Sequence, residues 1–379
     1  MSGRVRFPWS DEEFRPSRPE IVYRDLYIHV PFCRRKCGYC AFYSVTGDGA
    51  SPRMQEAWLE RLAGEMGRRR FAKPMGSIYF GGGTPTLLST DFLKRLRAVC
   101  EMLLKWDEST EITIEANPET LDDEKLEFLS DFATRLSVGV QSFDPERRLR
   151  LGRECSGEAI DRVLSRAAGT FRHLNVDLIC GLAGDDPELW RRELTLAAEA
   201  GADHVSCYEL TPEEQAALRF PAPDADAGER LWRSAGEILS EFGIRRYEIS
   251  NYARPGGECR HNLAVWDGAP LCGIGPSASG FDGVDRWTER SDLADWLAHR
   301  YPVWDVIPPE KREAEIFAVG LRRTAGWDEA TAEKRFSAAL LAAASELKKQ
   351  FPKLFAPGRG FALSESGLLL WNEIAGKLL

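Results

Sequence analysis

LYIHVPFCRRKCGYCAFYS, residues 26–44, sets three cysteines on a short segment directly behind an alternating apolar run. Apolar and polar side chains alternate from Leu26 to Val30, the period of a β-strand, and Pro31 ends it. Cys33, Cys37 and Cys40 follow at spacings of three and two intervening residues, the one cluster among nine cysteines. An odd cysteine count, behind an N-terminus broken by charge and proline, does not describe a disulfide framework. Clustered cysteines of this kind read as metal ligands or redox groups.

Outward from this stretch, β-rich runs alternate with amphipathic ones. Strands are expected at 26–30, 77–81, 112–116, 136–140, 174–179 and 204–210, with helices at 53–70, 90–104, 122–133, 156–169 and 187–200. In the second helix Phe92, Leu93, Leu96, Val99, Leu103 and Leu104 share a face, and Ser89 or Thr90 can cap it. Strands separated by helices imply parallel pairing, because each parallel crossover needs a helix. The expected fold is α/β, a partial (β/α)6 barrel over 21–215, although periodicity alone leaves a doubly wound sheet open. A tail is read over 1–20. After a Pro/Ala/Asp linker at 218–226, a 216–300 extension holds a helix to about 242, one strand RRYEISNY (245–252) and a glycine-rich stretch carrying HNLAVW (261–266). Residues 301–379 read as helices at 309–323, 328–335 and 338–350, a hairpin at 354–363 and one last helix, a winged-helix-like module.

Charge limits the partners. The chain has 50 Lys and Arg against 59 Asp and Glu, a net charge of −9, and residues 301–379 hold 11 basic and 10 acidic residues. No basic footprint for nucleic acid exists there, so the module is read as a packing or interaction element. No apolar stretch has the length of a membrane span, so a cytoplasmic protein is expected.

The chemistry-bearing residues gather at strand ends. Cys33, Cys37 and Cys40 follow the first strand, GGGTP (81–85) the second, and Glu115 sits at the third; Gln141 closes the fourth and Asp177 lies in the fifth. In parallel α/β folds the active site is built at the carboxyl ends of strands, so these segments aim at one mouth. Three thiolates are one short of the usual four for structural zinc or for a cubane [4Fe–4S] cluster, so a cubane would keep one iron open. A zinc knuckle or metal-free thiols remain the bland alternatives. GGGTP lets backbone approach a ligand closely, or is simply a tight turn. Arg153 reads equally as a surface residue, whereas Asp177 among apolar neighbours requires a partner.

The cysteine spacing, with Tyr39 before the last cysteine, resembles the signature of radical SAM proteins. That resemblance implies a [4Fe–4S] cluster on Cys33, Cys37 and Cys40 with S-adenosylmethionine (SAM) on the open iron. It implies that GGGTP bonds the SAM amino group and that Glu115 reaches the ribose hydroxyls or the methionine moiety. The ordered motifs LYIHVPFCRRKCGYCAFYS, YFGGGTPTLL, EANPETL, LSVGVQSFD, LGR, NVDLICGL and HN…W are similar to the oxygen-independent coproporphyrinogen III oxidase family over residues 21–379. Tyr27, Tyr39, Gly82, Gly83, Thr84, Glu115, Gln141, Arg153 and Asp177 match positions tied to SAM there. The decarboxylating oxidases of that family carry a further cysteine where this chain has Phe42, and a longer N-terminus. The haem-chaperone branch lacks that cysteine and carries HNxxYW; here His261, Asn262 and Trp266 match and Val265 holds the Tyr place. The resemblance therefore implies haem bound through His261, with Trp266 as a flat face for the porphyrin, and delivery to apo-haemoproteins, membrane-bound acceptors included. A bland structural histidine at 261, the oxidase activity on coproporphyrinogen propionates, and a non-catalytic iron–sulfur protein are the competing readings.

Overall fold

The computed structural model describes residues 21–182, 184–210 and 225–379. The tail at 1–20 and most of the linker at 218–226 lie outside them. All six expected strands are present: β1 (Asp25–Val30), β2 (Ser77–Gly82), β3 (Glu111–Ala116), β4 (Arg135–Gln141), β5 (His173–Cys180) and β6 (His204–Glu209). They pair in chain order and in parallel. The five expected helices pack between them at Pro52–Gly67, Thr90–Leu103, Asp123–Ser130, Gly157–Ala167 and Pro187–Glu199. Ser89 is the cap of the second, accepting from the Phe92 N–H. Side-chain caps from Asp122 and Ser156 start the third and fourth by satisfying N–H groups that have no partner within the helix.

The alternation along the strands separates two environments. Leu26, Ile28, Val30, Ile78, Phe80, Ile112, Ile114, Leu136, Val138, Val176 and Val205 point outward. They join one buried core with the helix residues Trp58, Leu62, Leu93 and Leu164. The opposite face carries Tyr27, His29, Tyr79, Glu115, Ser137, Asn175, Asp177 and Ser206. The sheet is thus packed by helices on one face and lined by polar groups on the other.

The sheet extends beyond the six strands and does not close. Two strands, β7 (Arg245–Arg246) and β8 (Asn251–Ala253), add antiparallel beside β6. At the other edge β9 (Leu271–Ile274) pairs parallel with β1, followed by antiparallel β10 (Ser279–Phe281), β11 (Arg286–Thr288) and β12 (Val303–Asp305). This edge was not read from the sequence. RRYEISNY is a hairpin, not one strand: the fully buried Glu248 turns back to accept from the Ser250 N–H and the Asn251 amide, which interrupts the ladder. HNLAVW, expected only as part of a glycine-rich stretch, lies in a helix, Arg260–Trp266.

The C-terminal helices Pro309–Gly320, Glu329–Arg335 and Ala338–Gln350 surround a second core of Phe317, Leu321, Trp327, Phe336 and Phe361. The expected hairpin is reduced to single bridges, Phe355 with Leu363 and Trp327 with Phe361. The last helix is two, Glu365–Leu369 and Trp371–Leu378, parted at Leu370.

Candidate functional site

The cysteine loop is pinned at its base and open at its tip. Cys33 N–H donates to Val45 O and Val45 N–H to Pro31 O, so residues 34–44 leave and return at the end of β1. Tyr39 packs into a small apolar cluster with Leu151, Ile179, Leu182 and Leu210, anchoring the loop over the ends of β5 and β6. All three thiols are partly exposed, and each of the other six cysteines is buried. Burial raises the pKa of the Cys40 thiol, with Lys36 pulling the other way. Among the described residues no three His, Cys, Asp or Glu side chains close around one point as a mononuclear metal site does. The three thiols instead line a single loop beside two cations, Lys36 and Arg153, whose charge offsets that of thiolates. That donor set fits a cubane held at three corners.

LGR shows how local structure sets one of these cations. The helix Pro145–Leu151 ends at Gly152 in the left-handed region, and Arg153 N–H bonds back to Arg148 O. This glycine-terminated cap reverses the chain and drives Arg153 inward. Arg153 is buried, not at the surface: it donates to Asn117 Oδ1 and Gly139 O, each at 2.7 Å, and reaches the Cys37 thiol. Arg35 ties the same turn to the cysteine loop through Gly152 O and an ion pair with Glu154.

GGGTP lies against the continuation of β1. Gly83 N–H donates to Val30 O and Thr84 N–H to Phe32 O, both at 2.8 Å. A Cβ on Gly83 would come within 2.7 Å of Val30 O, and one on Gly82, at φ +106°, would strike the His29 ring. Both glycines are therefore sterically required by the packing of this turn against β1 and the residues that follow it. Thr84 Oγ1 lies 3.5 Å from Cys33 Sγ and accepts from Asn117. Glu115 accepts from Tyr79 Oη at 2.8 Å and Gly82 N–H at 3.1 Å. Burial pushes its carboxyl up to about 7, with Tyr79 opposing and Asp177 adding to the rise.

Gln141 holds φ +69° beside a register shift in the β4–β5 pairing, and its amide turns back over Gly139. A non-glycine residue held there is backbone strain of the kind stored at ligand sites. Asp177 has the partners its burial requires: Ser137 at 3.2 Å and Asn175 at 2.8 Å, with Ser206 also bonding it. His29 Nε2 donates to Tyr43 O, so Nδ1 accepts from Tyr27 Oη at 3.1 Å, and burial lowers the imidazole to about 4.

The structure thus brings Cys33, Cys37, Cys40, Tyr39, Gly82, Gly83, Thr84, Glu115, Gln141, Arg153 and Asp177 to one end of the sheet, with Tyr27 midway down. It does not bring His261 there. His261 is only 6% exposed and bonds Ser77 Oγ at the opposite, amino end of β2, while its N–H donates to Glu111. Its ring rests under Tyr79 at 4.8 Å, and burial lowers its pKa to about 4. Trp266 is covered by Arg322, whose guanidinium sits between it and Trp371. Tyr79 and Asn117 escaped the sequence reading; inward-pointing positions beside GGGTP and Glu115 were the available signal.

Residues 27–197 match the model of the Radical SAM superfamily. The chain is 34% identical over 326 residues to the "Heme chaperone HemW" of Synechocystis sp., covering 79% of this chain and 78% of that protein. It is 29% identical over 381 residues to the protein of the same name from Bacillus subtilis, covering 94% and 99%. Among solved structures, coproporphyrinogen III oxidase (HemN) from Escherichia coli superposes with a TM-score of 0.79 at 22% identity, covering 95% of this chain and 91% of that one, a likeness of fold. The sheet, the thiol loop and these matches define a radical SAM protein, and membership of that superfamily implies a [4Fe–4S] cluster and SAM. Within it, the chain belongs to the HemW family.

Proposed function

We propose that this chain is a haem chaperone built on a radical SAM core, binding haem and passing it to apo-haemoproteins. Cys33, Cys37 and Cys40 would hold the cluster; Tyr27, Gly82, Gly83, Thr84, Glu115, Gln141, Arg153 and Asp177 would line the SAM site, with Tyr39 bracing the loop. The observation that carries the core of this reading is the convergence of three thiols, a sterically required glycine run and Glu115 at one sheet end. When bound, the cluster and SAM supply one-electron chemistry at the sulfonium. The chain's own work is placement: glycine backbone admits the methionine end, Glu115 receives hydroxyl or ammonium donors, and Arg153 balances thiolate charge. The haem part is supported by the names of the relatives and by Phe42, 66% exposed, in place of the oxidases' further cysteine. Domain limits of 21–215, 216–300 and 301–379 go with it. No described helix is long and apolar enough to cross a membrane.

Anaerobic reconstitution followed by separate titrations with SAM, haem and coproporphyrinogen III tests the reading. Haem uptake without porphyrinogen turnover is expected, and a vinyl product would replace the chaperone with the oxidase. Gly82→Val is expected to weaken SAM binding, because its side chain would strike the His29 ring and displace the glycine run; iron is measured in the same samples, since His29 also bonds Tyr43 O in the cysteine loop, and unchanged affinity by calorimetry would reduce GGGTP to a turn. His261→Gln is expected to leave the haem Soret band as in the parent, since the imidazole is buried and committed to Ser77. A shifted band would instead show that helix 260–266 opens to present this residue to iron.

A further inference from the structure

Tyr79 occupies the middle of β2, two residues before the glycine run begins at Gly81, and faces the interior. Its hydroxyl donates to Glu115 Oε1 at 2.8 Å while Gly82 N–H donates to Oε2 at 3.1 Å. One strand thus grips both oxygens of a carboxylate carried by its neighbour. The grip depends on Gly81: a Cβ there would fall 2.9 Å from the Glu115 carboxyl carbon and 2.8 Å from the Tyr79 ring. Each carboxylate oxygen keeps a further lone pair for a donor from outside.

Two rings that lie 6.1 Å from each other both pack against the Tyr79 ring. Tyr27 stacks at 5.9 Å and 28°, and His261 packs at 4.8 Å. His261 cannot drift, because Ser77 binds its ring and Glu111 its backbone N–H. The HN…W helix therefore supports the ring that supports Glu115.

We propose that Tyr79 is a positioning residue for SAM: its hydroxyl fixes the Glu115 carboxylate, oriented and charged, for the cofactor's donors. The proposal rests on the reading of Glu115 as a SAM-binding residue. Other groups facing Glu115 act on its charge without gripping it: the Asp177 carboxylate from β5, and the Tyr27 and Tyr208 hydroxyls from β1 and β6. SAM carries a sulfonium and an ammonium, so the ionised carboxylate binds it better than the acid. Without the Tyr79 hydroxyl, the carboxyl would ionise only at higher pH, because a hydrogen bond to the charged form is gone.

The test is calorimetric SAM titration of the reconstituted parent, Tyr79→Phe and Glu115→Gln between about pH 6 and about pH 9, with iron measured in each. Parent affinity is expected to rise through about 7, where Glu115 ionises. Tyr79→Phe is expected to lose roughly fivefold at neutral pH, which is what a midpoint displaced upward by about one unit from about 7 gives, and to recover most of it at the alkaline end. Glu115→Gln is expected to bind weakly with no such rise, which also separates the SAM amine's own titration from that of the protein. Tyr79→Phe binding with the parent's profile, or uniformly weakly at every pH, overturns the positioning role. Glu115→Gln binding as the parent does overturns the assignment of Glu115 itself, whatever Tyr79 does.

Discussion

Cys37→Ala is expected to purify folded but with iron and sulfide at background, without the electron paramagnetic resonance signal of a reduced [4Fe–4S] cluster and without SAM binding that depends on it. Cys33→Ala and Cys40→Ala are expected to match it. The effect should be all-or-none, because a cubane already short of one protein ligand loses a second corner. The fold should survive, since the three thiols stand on a partly exposed loop outside the main core, and that loop's base is held by Cys33 N–H and Val45, main-chain bonds an alanine keeps. Replacing the remaining cysteines should leave the cluster intact. Burial pushes the Cys100, Cys180 and Cys272 thiols up to about 12 and Cys155 up to about 11, and raises Cys207 and Cys259 as well, so none offers a thiolate at neutral pH. Iron retained in the Cys37 variant would remove the cluster assignment.

The six strands were legible because a two-residue period written in Leu, Ile, Val and Phe survives any context. LYIHV showed more than a strand: its polar positions, Tyr27 and His29, also mark the interior. What escaped has a local cause in each case. Helix 260–266 is flanked by Gly256, Gly257 and Gly268, so its surroundings read as loop. It is too short to stand on propensity and is held by tertiary contacts, the Glu111 carboxylate receiving its N-terminal amides among them. Strands β9 to β12 are three or four residues each and too brief to show a period. The RRYEISNY hairpin depends on where the Glu248 side chain turns, a tertiary fact.

The candidate site was legible to the extent that its chemistry is carried by spacing. Three cysteines, a glycine run and strand-end carboxylates are local patterns. Arg153 was ambiguous because its direction is set by the left-handed cap at Gly152, and sequence does not show which way a chain reverses. His261 was read for its iron-ligating chemistry, yet the same imidazole fits a buried, neutral role beneath Tyr79. Only the packing of helix 260–266 against β2 distinguishes them.

That packing depends on the ion pair beneath it, and Glu111→Ala should be strongly destabilising. Glu111 and Arg135 side chains are 5% and 2% exposed and approach to 3.1 Å. Arg135 also donates to Gly257 O and Glu258 O, and Glu111 accepts from the His261 N–H, so the pair fastens the segment 257–261 to β3 and β4. Removing one partner of such a pair strands the other charge in low dielectric, at a cost of about 3–5 kcal/mol. Glu111→Ala is therefore expected to lower the denaturant midpoint sharply, and Glu111→Leu combined with Arg135→Met to regain much of the loss, because apolar side chains need no compensation. The pH response supplies a second sign. Burial alone would raise the Glu111 carboxyl, but Arg135 and the backbone amides of Arg260 and His261 outweigh it and hold it below the usual range. Its contribution is present above the unfolded carboxylate value and is lost as pH falls through the folded one. In Arg135→Met the guanidinium is gone and burial prevails, so the carboxyl rises above its unfolded value. That variant should then be relatively more stable in mild acid and lose stability as pH climbs. Unfolding curves for parent and Arg135→Met at several pH values decide it, and parallel profiles would mean that the pair does not hold the barrel floor.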